Sequence, residues 1–245
     1  TEGGSTVTLT ATIEKPLAAN IIVPIVTSGT ATSGSDYNAI NSITISAGNL
    51  TGTATVTSVD DSLYDSSIAE TIIFTASSVQ GSTCPGSVMT QTLALVDNDS
   101  APTAQLSTSA SSIAEDAGSS ITLTATLNRA TYENVTVALS TSGTSTEGSD
   151  YATISDITIP AGSLSATSNF TPTNDTMYET ATAETAIIDV ASVSGGSATE
   201  SGAQQVSLSI TADSDSAPTV TFASSASSVA ENGSDLTITA TLSNP

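Results

Sequence analysis

The segment Gly29 to Tyr37, Gly-Thr-Ala-Thr-Ser-Gly-Ser-Asp-Tyr, returns at Gly143 to Tyr151 as Gly-Thr-Ser-Thr-Glu-Gly-Ser-Asp-Tyr, displaced by 114 residues. The same offset carries Thr8 onto Thr122, Gly48 onto Gly162, Asp61 onto Asp175, Tyr64 onto Tyr178 and Glu70 onto Glu184. It then widens to 116, so that Asp97-Asn98-Asp99-Ser100-Ala101-Pro102 falls on Asp213-Ser214-Asp215-Ser216-Ala217-Pro218. A third copy opens at Ser228-Val-Ala-Glu231, matching Ser112-Ile-Ala-Glu115. Such a chain is a tandem array, and its period is too long for one solenoid turn but long enough for each unit to hold a core. The expected units are a first repeat over 1–101 lacking its first edge strand, a complete repeat over 102–217, and the opening strands of a third over 218–245. Both ends cut through a unit, which points to a window on a longer array or to one segment of a polymer.

Within the complete copy, Ile121-Thr-Leu-Thr-Ala-Thr-Leu127 alternates apolar and polar residues strictly, the pattern of a strand with one buried face. Similar segments follow at 135–139, 157–159, 164–170, 186–193 and 206–210, and an edge segment at 103–113 precedes them. Turn-forming runs separate them, among them Gly118-Ser119, Gly148-Ser149-Asp150 and Gly195-Gly196. About seven short strands with no helical period predict an all-β fold: tandem seven-stranded immunoglobulin-like sandwiches joined end to end. Tyr37, Tyr64, Tyr151 and Tyr178 are expected to be packing anchors, and the repeated glycines to serve turn geometry.

Charge excludes several partners. Against 24 acidic residues stand two basic ones, Lys15 and Arg129, at one repeat position; the formal charge is -22. This repels nucleic acid and anionic membrane surfaces, so neither is an expected partner. No run of about 20 apolar residues is present to span a bilayer. With no His, one Cys (Cys84) and no glycine-rich phosphate loop, the usual bases, nucleophiles and nucleotide sites are missing, and no enzyme is expected. Thr-x-Thr runs such as Thr53-Ala-Thr55-Val-Thr57 suggest an ice-binding face, but such faces need a flat ladder at short repeat intervals, whereas these runs are the exposed halves of sandwich strands.

The carboxylates gather at strand ends. In the second copy they are Glu115, Asp150, Asp175, Glu179, Glu184, Asp213 and Asp215; in the first, Glu2, Asp36, Asp60, Asp61, Asp65, Glu70, Asp97 and Asp99. Strand direction in an antiparallel sandwich brings these turns to a common end, six or seven carboxylates together. Two carboxylates at about 4 Å repel by about 4 kcal/mol at an effective dielectric of about 20, and no nearby Lys or Arg is expected to offset this. Either the groups splay into water or a cation fills the gap. Oxygen-only donors select a hard ion, Ca²⁺ over Mg²⁺.

The ordered set Ala-Glu-Asp-Ala-Gly (114–118), Gly-Ser-Asp-Tyr (148–151), Asn-Asp-x-x-Tyr-Glu (174–179), Glu184 and Asp-x-Asp-Ser-Ala (213–217) resembles the Calx-β domain. The resemblance implies a seven-stranded sandwich with Ca²⁺ at one end. It implies ligand roles for Glu115, Asp150, Asp175, Glu179, Asp213 and Asp215, and for Glu2, Asp36, Asp60, Asp61, Asp65, Asp97 and Asp99 in the first copy. Asn174, Asn98 and Ser214 depart from the family's acidic pattern, which implies fewer ions per site. The function expected is a calcium-stiffened extracellular fibre or adhesin stalk on a bacterial cell surface, whose partners are neighbouring repeats or identical subunits. The rivals are a module binding a glycan or surface ligand through Thr/Ser-rich faces or the loop 80–87, and a calcium-sensing regulatory pair.

Overall fold

The computed structural model describes residues 1–65, 69–76, 89–178, 183–212, 215–233 and 235–243. Cys84, the loop 80–87, Glu179 and Asp213 lie outside these residues. The chain divides into two units, Thr1–Pro102 with Arg129–Glu133, and Thr103–Asn128 with Asn134–Pro245.

The first unit runs β1 (Thr6–Thr12), β2 (Ile21–Pro24), β3 (Val26–Gly29), β4 (Ser42–Ile45), β5 (Thr51–Thr57), β6 (Glu70–Ala76) and β7 (Met89–Leu95). Its strands pair as β1–β5, β2–β4 and β3–β6–β7. Its buried cores form around Tyr37, Val56, Ile72 and Phe74, and around Ile21, Ile43 and Ile45.

The second unit runs β8 (Thr103–Thr108), β9 (Ser112–Ala114), β10 (Ile121–Leu127), β11 (Val135–Gly143), β12 (Ile157–Ile159), β13 (Ser165–Phe170), β14 (Glu184–Ser194), β15 (Thr199–Glu200) and β16 (Gln205–Thr211). One sheet has the order β13-β10-β8-β15 and the other β12-β11-β14-β16-β9. Alternation drives the packing: Ile121, Leu123, Ala125 and Leu127 of β10 are all buried while their threonine neighbours are not. They meet Ile188, Leu208, Phe170 and Tyr151 in a single core, each large side chain contributing about 1.5–3 kcal/mol on burial. Beyond β16, β17 (Val220–Ser224) and β18 (Ile238–Leu242) form an antiparallel pair.

Two features depart from the expectation. The edge segment 103–113 is not one strand: β8 joins β10 antiparallel, whereas β9 joins β16 parallel in the other sheet. The serine-rich stretch at 109–111 interrupts the apolar alternation, and the chain crosses between sheets there. The third strand also differs between copies. In the second unit it is continuous with a register shift between Ala138 and Leu139; in the first it breaks into β2 and β3 at Pro24-Ile25, the same repeat position. Pro24 has no N–H to give a ladder. The amide after the irregularity is satisfied sideways in both, Ile25 donating to the Asn41 carbonyl (2.9 Å) and Leu139 to the Asp156 carboxylate (2.9 Å).

Candidate functional site

The repeated nine-residue motif builds a loop that serves the core and the acidic end together. It opens on Gly29 and Gly143, each at φ 120°. A Cβ there would lie 2.0 Å from the Thr71 carbonyl oxygen, or 2.1 Å from that of Thr185, so only glycine fits. The loop closes through Gly34 N–H to the Tyr37 carbonyl (2.8 Å) and Gly148 N–H to the Tyr151 carbonyl (2.7 Å). Tyr37 and Tyr151 are buried to 1% exposure, packed on Phe74 and Phe170 with ring centroids 6.5 and 4.8 Å apart. The preceding aspartate, Asp36 or Asp150, accepts the amide of Thr32 or Thr146 through one oxygen. Its carboxylate also meets Glu70 or Glu184, the first residue of β6 or β14.

In the second unit Glu115, Asp150, Asp175 and Glu184 line one small pocket with Ile210, Thr211 and Ala212 at the end of β16. Glu115 is buried; its amide bonds the Thr211 carbonyl (3.1 Å) and its Oε1 accepts the Asp175 amide (3.0 Å). Asp175 in turn accepts the Met177 amide (2.6 Å). Burial raises the Glu184 carboxyl above its ordinary range, and repulsion from Asp150, a hydrogen bond to it and the charge of Glu115 add to this. Asp215 is half-buried beyond β16.

The first unit gathers a larger set. Glu2, whose amide bonds the Val96 carbonyl (2.9 Å), is pushed up to about 7 by burial and then by Asp61, Asp97, Glu70 and Asp36. Glu70 is also pushed up to about 7, by burial, then by the charge of Asp36 and a hydrogen bond to it, then by Asp65 and Asp61. Asp97 is committed to the backbone through both oxygens, which accept the amides of Asp65 (2.7 Å) and Asp99 (2.7 Å). Asp60 accepts from the Asn98 side-chain amide (3.1 Å) and Asp61 from the Leu63 amide (2.7 Å).

The expectation that no basic group stands near the carboxylates is wrong for this unit. The Arg129 guanidinium pairs with Asp99 Oδ1. Tyr132 donates its hydroxyl to Asp61 Oδ2 (3.0 Å), and its own proton is held up to about 12, first by burial and then by that bond. The segment is pinned by Tyr64 N–H to the Ala130 carbonyl (2.9 Å). The sequence marks Arg129 only as one of two basic residues at one repeat position; the folded chain shows which carboxylate it meets.

Thus Glu2, Asp36, Asp61, Asp65 and Asp97 share one electrostatic cluster with Glu70, and Glu115, Asp150 and Asp175 share another with Glu184. Glu70 and Glu184 are central to both yet fall outside the candidate ligands; their recurrence at the 114-residue offset was the signal. The tyrosines also divide: Tyr37 and Tyr151 are anchors, while Tyr178 is 41% exposed. Among the described residues no group of three or more carboxylates is drawn into coordinating geometry. The donor set nevertheless fits a hard cation: every candidate donor is an oxygen, the carboxylates raise one another's proton affinity, and Asp99 Oδ2 is buried without a hydrogen-bond partner.

Residues 1–92 and 97–215 match the Calx-beta domain. No curated protein sequence matches the chain. Among solved structures it is similar to CBD12 from CALX1.2 (14% identity over 78% of this chain and 74% of that one, TM-score 0.32). It is also similar to invasin, a bacterial integrin-binding protein (18%, 96% and 42%, TM-score 0.41), and to the D0-D1 domain of intimin (16%, 86% and 92%, TM-score 0.29).

Proposed function

The chain belongs to the Calx-beta domain family, and from that premise we propose that it is a structural, extracellular repeat protein, a fibre or stalk segment stiffened by Ca²⁺ at the acidic end of each sandwich. The observation that carries this reading is the repeated carboxylate cluster, Glu115, Asp150, Asp175 and Glu184 in one unit and Glu2, Asp36, Asp61, Asp65, Glu70 and Asp97 in the other. A bound divalent ion would supply the positive charge these oxygens lack. In the second unit Glu115, Asp150, Asp175 and Glu184 would hold it, with Asp215, Glu179 and Asp213 as further candidates from sequence. In the first, Asp99 Oδ2 and the carboxylates of Glu2, Asp61, Asp65 and Glu70 would do so, with Asp60 at the edge.

The residues around the ion do the positioning. Tyr37 and Tyr151 fix the height of Asp36 and Asp150 by their burial, and Asp97 orders the turn by holding the amides of Asp65 and Asp99. In the first copy Asp97-Asn98-Asp99 runs straight into Ser100-Ala101-Pro102 and β8, so ordering that turn stiffens the connection. The reading gives the carboxylate pairs an ion-binding role and assigns no catalysis. Among the described residues no helix is long and apolar enough to cross a membrane.

Small-angle scattering of the whole chain through a calcium titration tests this. A stalk lengthens and stiffens at concentrations on the order of millimolar, the range of extracellular modules, whereas a sensor responds at about micromolar. Unchanged dimensions and unchanged thermal stability between chelator and saturating calcium would refute both.

A further inference from the structure

We propose that Arg129 is a resident counter-ion for the first acidic cluster, so that the two units carry unequal classes of divalent-cation site, the first weaker than the second. This rests on the calcium reading above. The guanidinium sits on Asp99 Oδ1, and the same segment sends the Tyr132 hydroxyl to Asp61. Two carboxylates that an ion would use are therefore already engaged before it arrives. The segment is held by backbone as well as by charge: Ala130 and Tyr132 bond Tyr64 from both sides (2.9 and 3.3 Å), and Thr131 is buried to 1% exposure. A guanidinium stays protonated across the accessible pH range, so its charge cannot be shed when a cation approaches. Asp99 Oδ2 makes no hydrogen bond and is left for an arriving ion, but it is buried beside a fixed positive charge.

The second unit carries no basic residue of its own. The only basic residues of the chain are Lys15 and Arg129, and neither lies in Thr103–Asn128 or Asn134–Pro245. The repeat itself explains the difference. Thr103 N–H bonds the Asn128 side chain (2.7 Å) and Thr219 N–H bonds the Ser243 side chain (3.0 Å), which aligns Asn128 with Ser243 and hence Arg129 with Asn244. A neutral amide stands in the sequence where the arginine stood. Glu115, Asp150, Asp175 and Glu184 thus face a cation with no basic residue in their own unit, whereas the first cluster faces it with a guanidinium already in place.

Calcium calorimetry on the whole chain and its Arg129→Gln and Arg129→Lys variants tests this, with thermal melts in chelator at low and high salt alongside. The expected wild-type isotherm has two classes separated by about tenfold or more, the effect of one neighbouring charge. Arg129→Gln should tighten the weaker class about tenfold and leave the tighter one unchanged, whereas Arg129→Lys, which keeps the charge, should preserve the gap. In chelator Arg129→Gln should also lose the salt-sensitive part of the first unit's stability. If both classes bind but Arg129→Gln leaves the weaker one unchanged, or weakens it, the counter-ion role is overturned while calcium binding stands. If the wild type binds no calcium at millimolar concentration, the calcium reading fails and this inference with it.

Discussion

Glu184→Gln should reverse the sign of its effect on stability between chelator and calcium. The Glu184 carboxyl opens β14 hydrogen-bonded to Asp150 and under the charge of Glu115, with no basic residue in the unit to compensate. Two carboxylates in contact repel by about 4 kcal/mol at an effective dielectric of about 20. Both groups are only half-buried, and solvent screening reduces the recoverable part to about 1 kcal/mol. Glutamine keeps the hydrogen bond by donating its amide to Asp150, so in chelator at pH 8 the variant should melt higher by about 3–5 °C for a unit of this size. In calcium at about 100 times Kd the wild type gains about 2.7 kcal/mol from the ion. Losing one charged ligand removes about half of that or more, which outweighs the relieved repulsion. The variant should then melt lower than wild type. Calorimetric scans of both proteins in both conditions decide the matter, and a shift of the same sign in chelator and in calcium would show that Glu184 does not stand at an ion site.

The chelated protein should lose stability as the pH rises from about 5 to about 8. Glu2 and Glu70 have folded-state values of about 7 against an ordinary 4.5, so the folded form holds the protons more tightly; their contribution is complete below about 4.5 and is lost as the pH passes through about 7. Saturating calcium should flatten this slope, and a melting temperature that climbs over the same window in chelator would contradict the assignment. Gly143→Ala should cost at least about 2 kcal/mol, because its φ of 120° and the Thr185 carbonyl 2.1 Å from the new Cβ leave no room to relax. Gly148→Ala, with nothing within 4 Å of its Cβ, separates the conformational part from the clash and should cost less in the same urea titration.

Much of the fold was legible because its pattern is local. Strict alternation fixed β10, β12 and β13 nearly to the residue, and glycine-rich turns marked their ends. What alternation could not reveal is which sheet a strand joins. The separation of β8 from β9 depends on a crossing at 109–111, and the two-residue β15 on a parallel pairing with β8, neither of which has a periodic signature. The site divides in the same way. Recurrence and placement at strand ends singled out the acidic residues, Glu70 and Glu184 included, but the ligand roles implied by the resemblance left these two aside, and only the folded chain shows them hydrogen-bonded to Asp36 and Asp150. Arg129 was visible as one of two cations, but its partner Asp99 is 30 positions away and only the folded chain shows them together.

The nine-residue motif shows why the acidic ends can persist at all in a chain with so little positive charge. Tyr151 and Asp150 are consecutive, one in the apolar core against Phe170 and the other at the charged rim beside Glu184. The turn Gly148–Asp150 closes on Tyr151, so the burial that anchors the tyrosine also holds the aspartate beside Glu184. The core thus supplies the stabilisation that keeps like charges together, a strain of the kind functional sites carry. Mere solubilising charge would be free to splay into water, whereas Asp150 is tied back to the Thr146 amide and to Glu184. The constrained turn and the buried ring bring negative oxygens into one place at the expense of the core, and the proposed cation would relieve the repulsion that the core now holds.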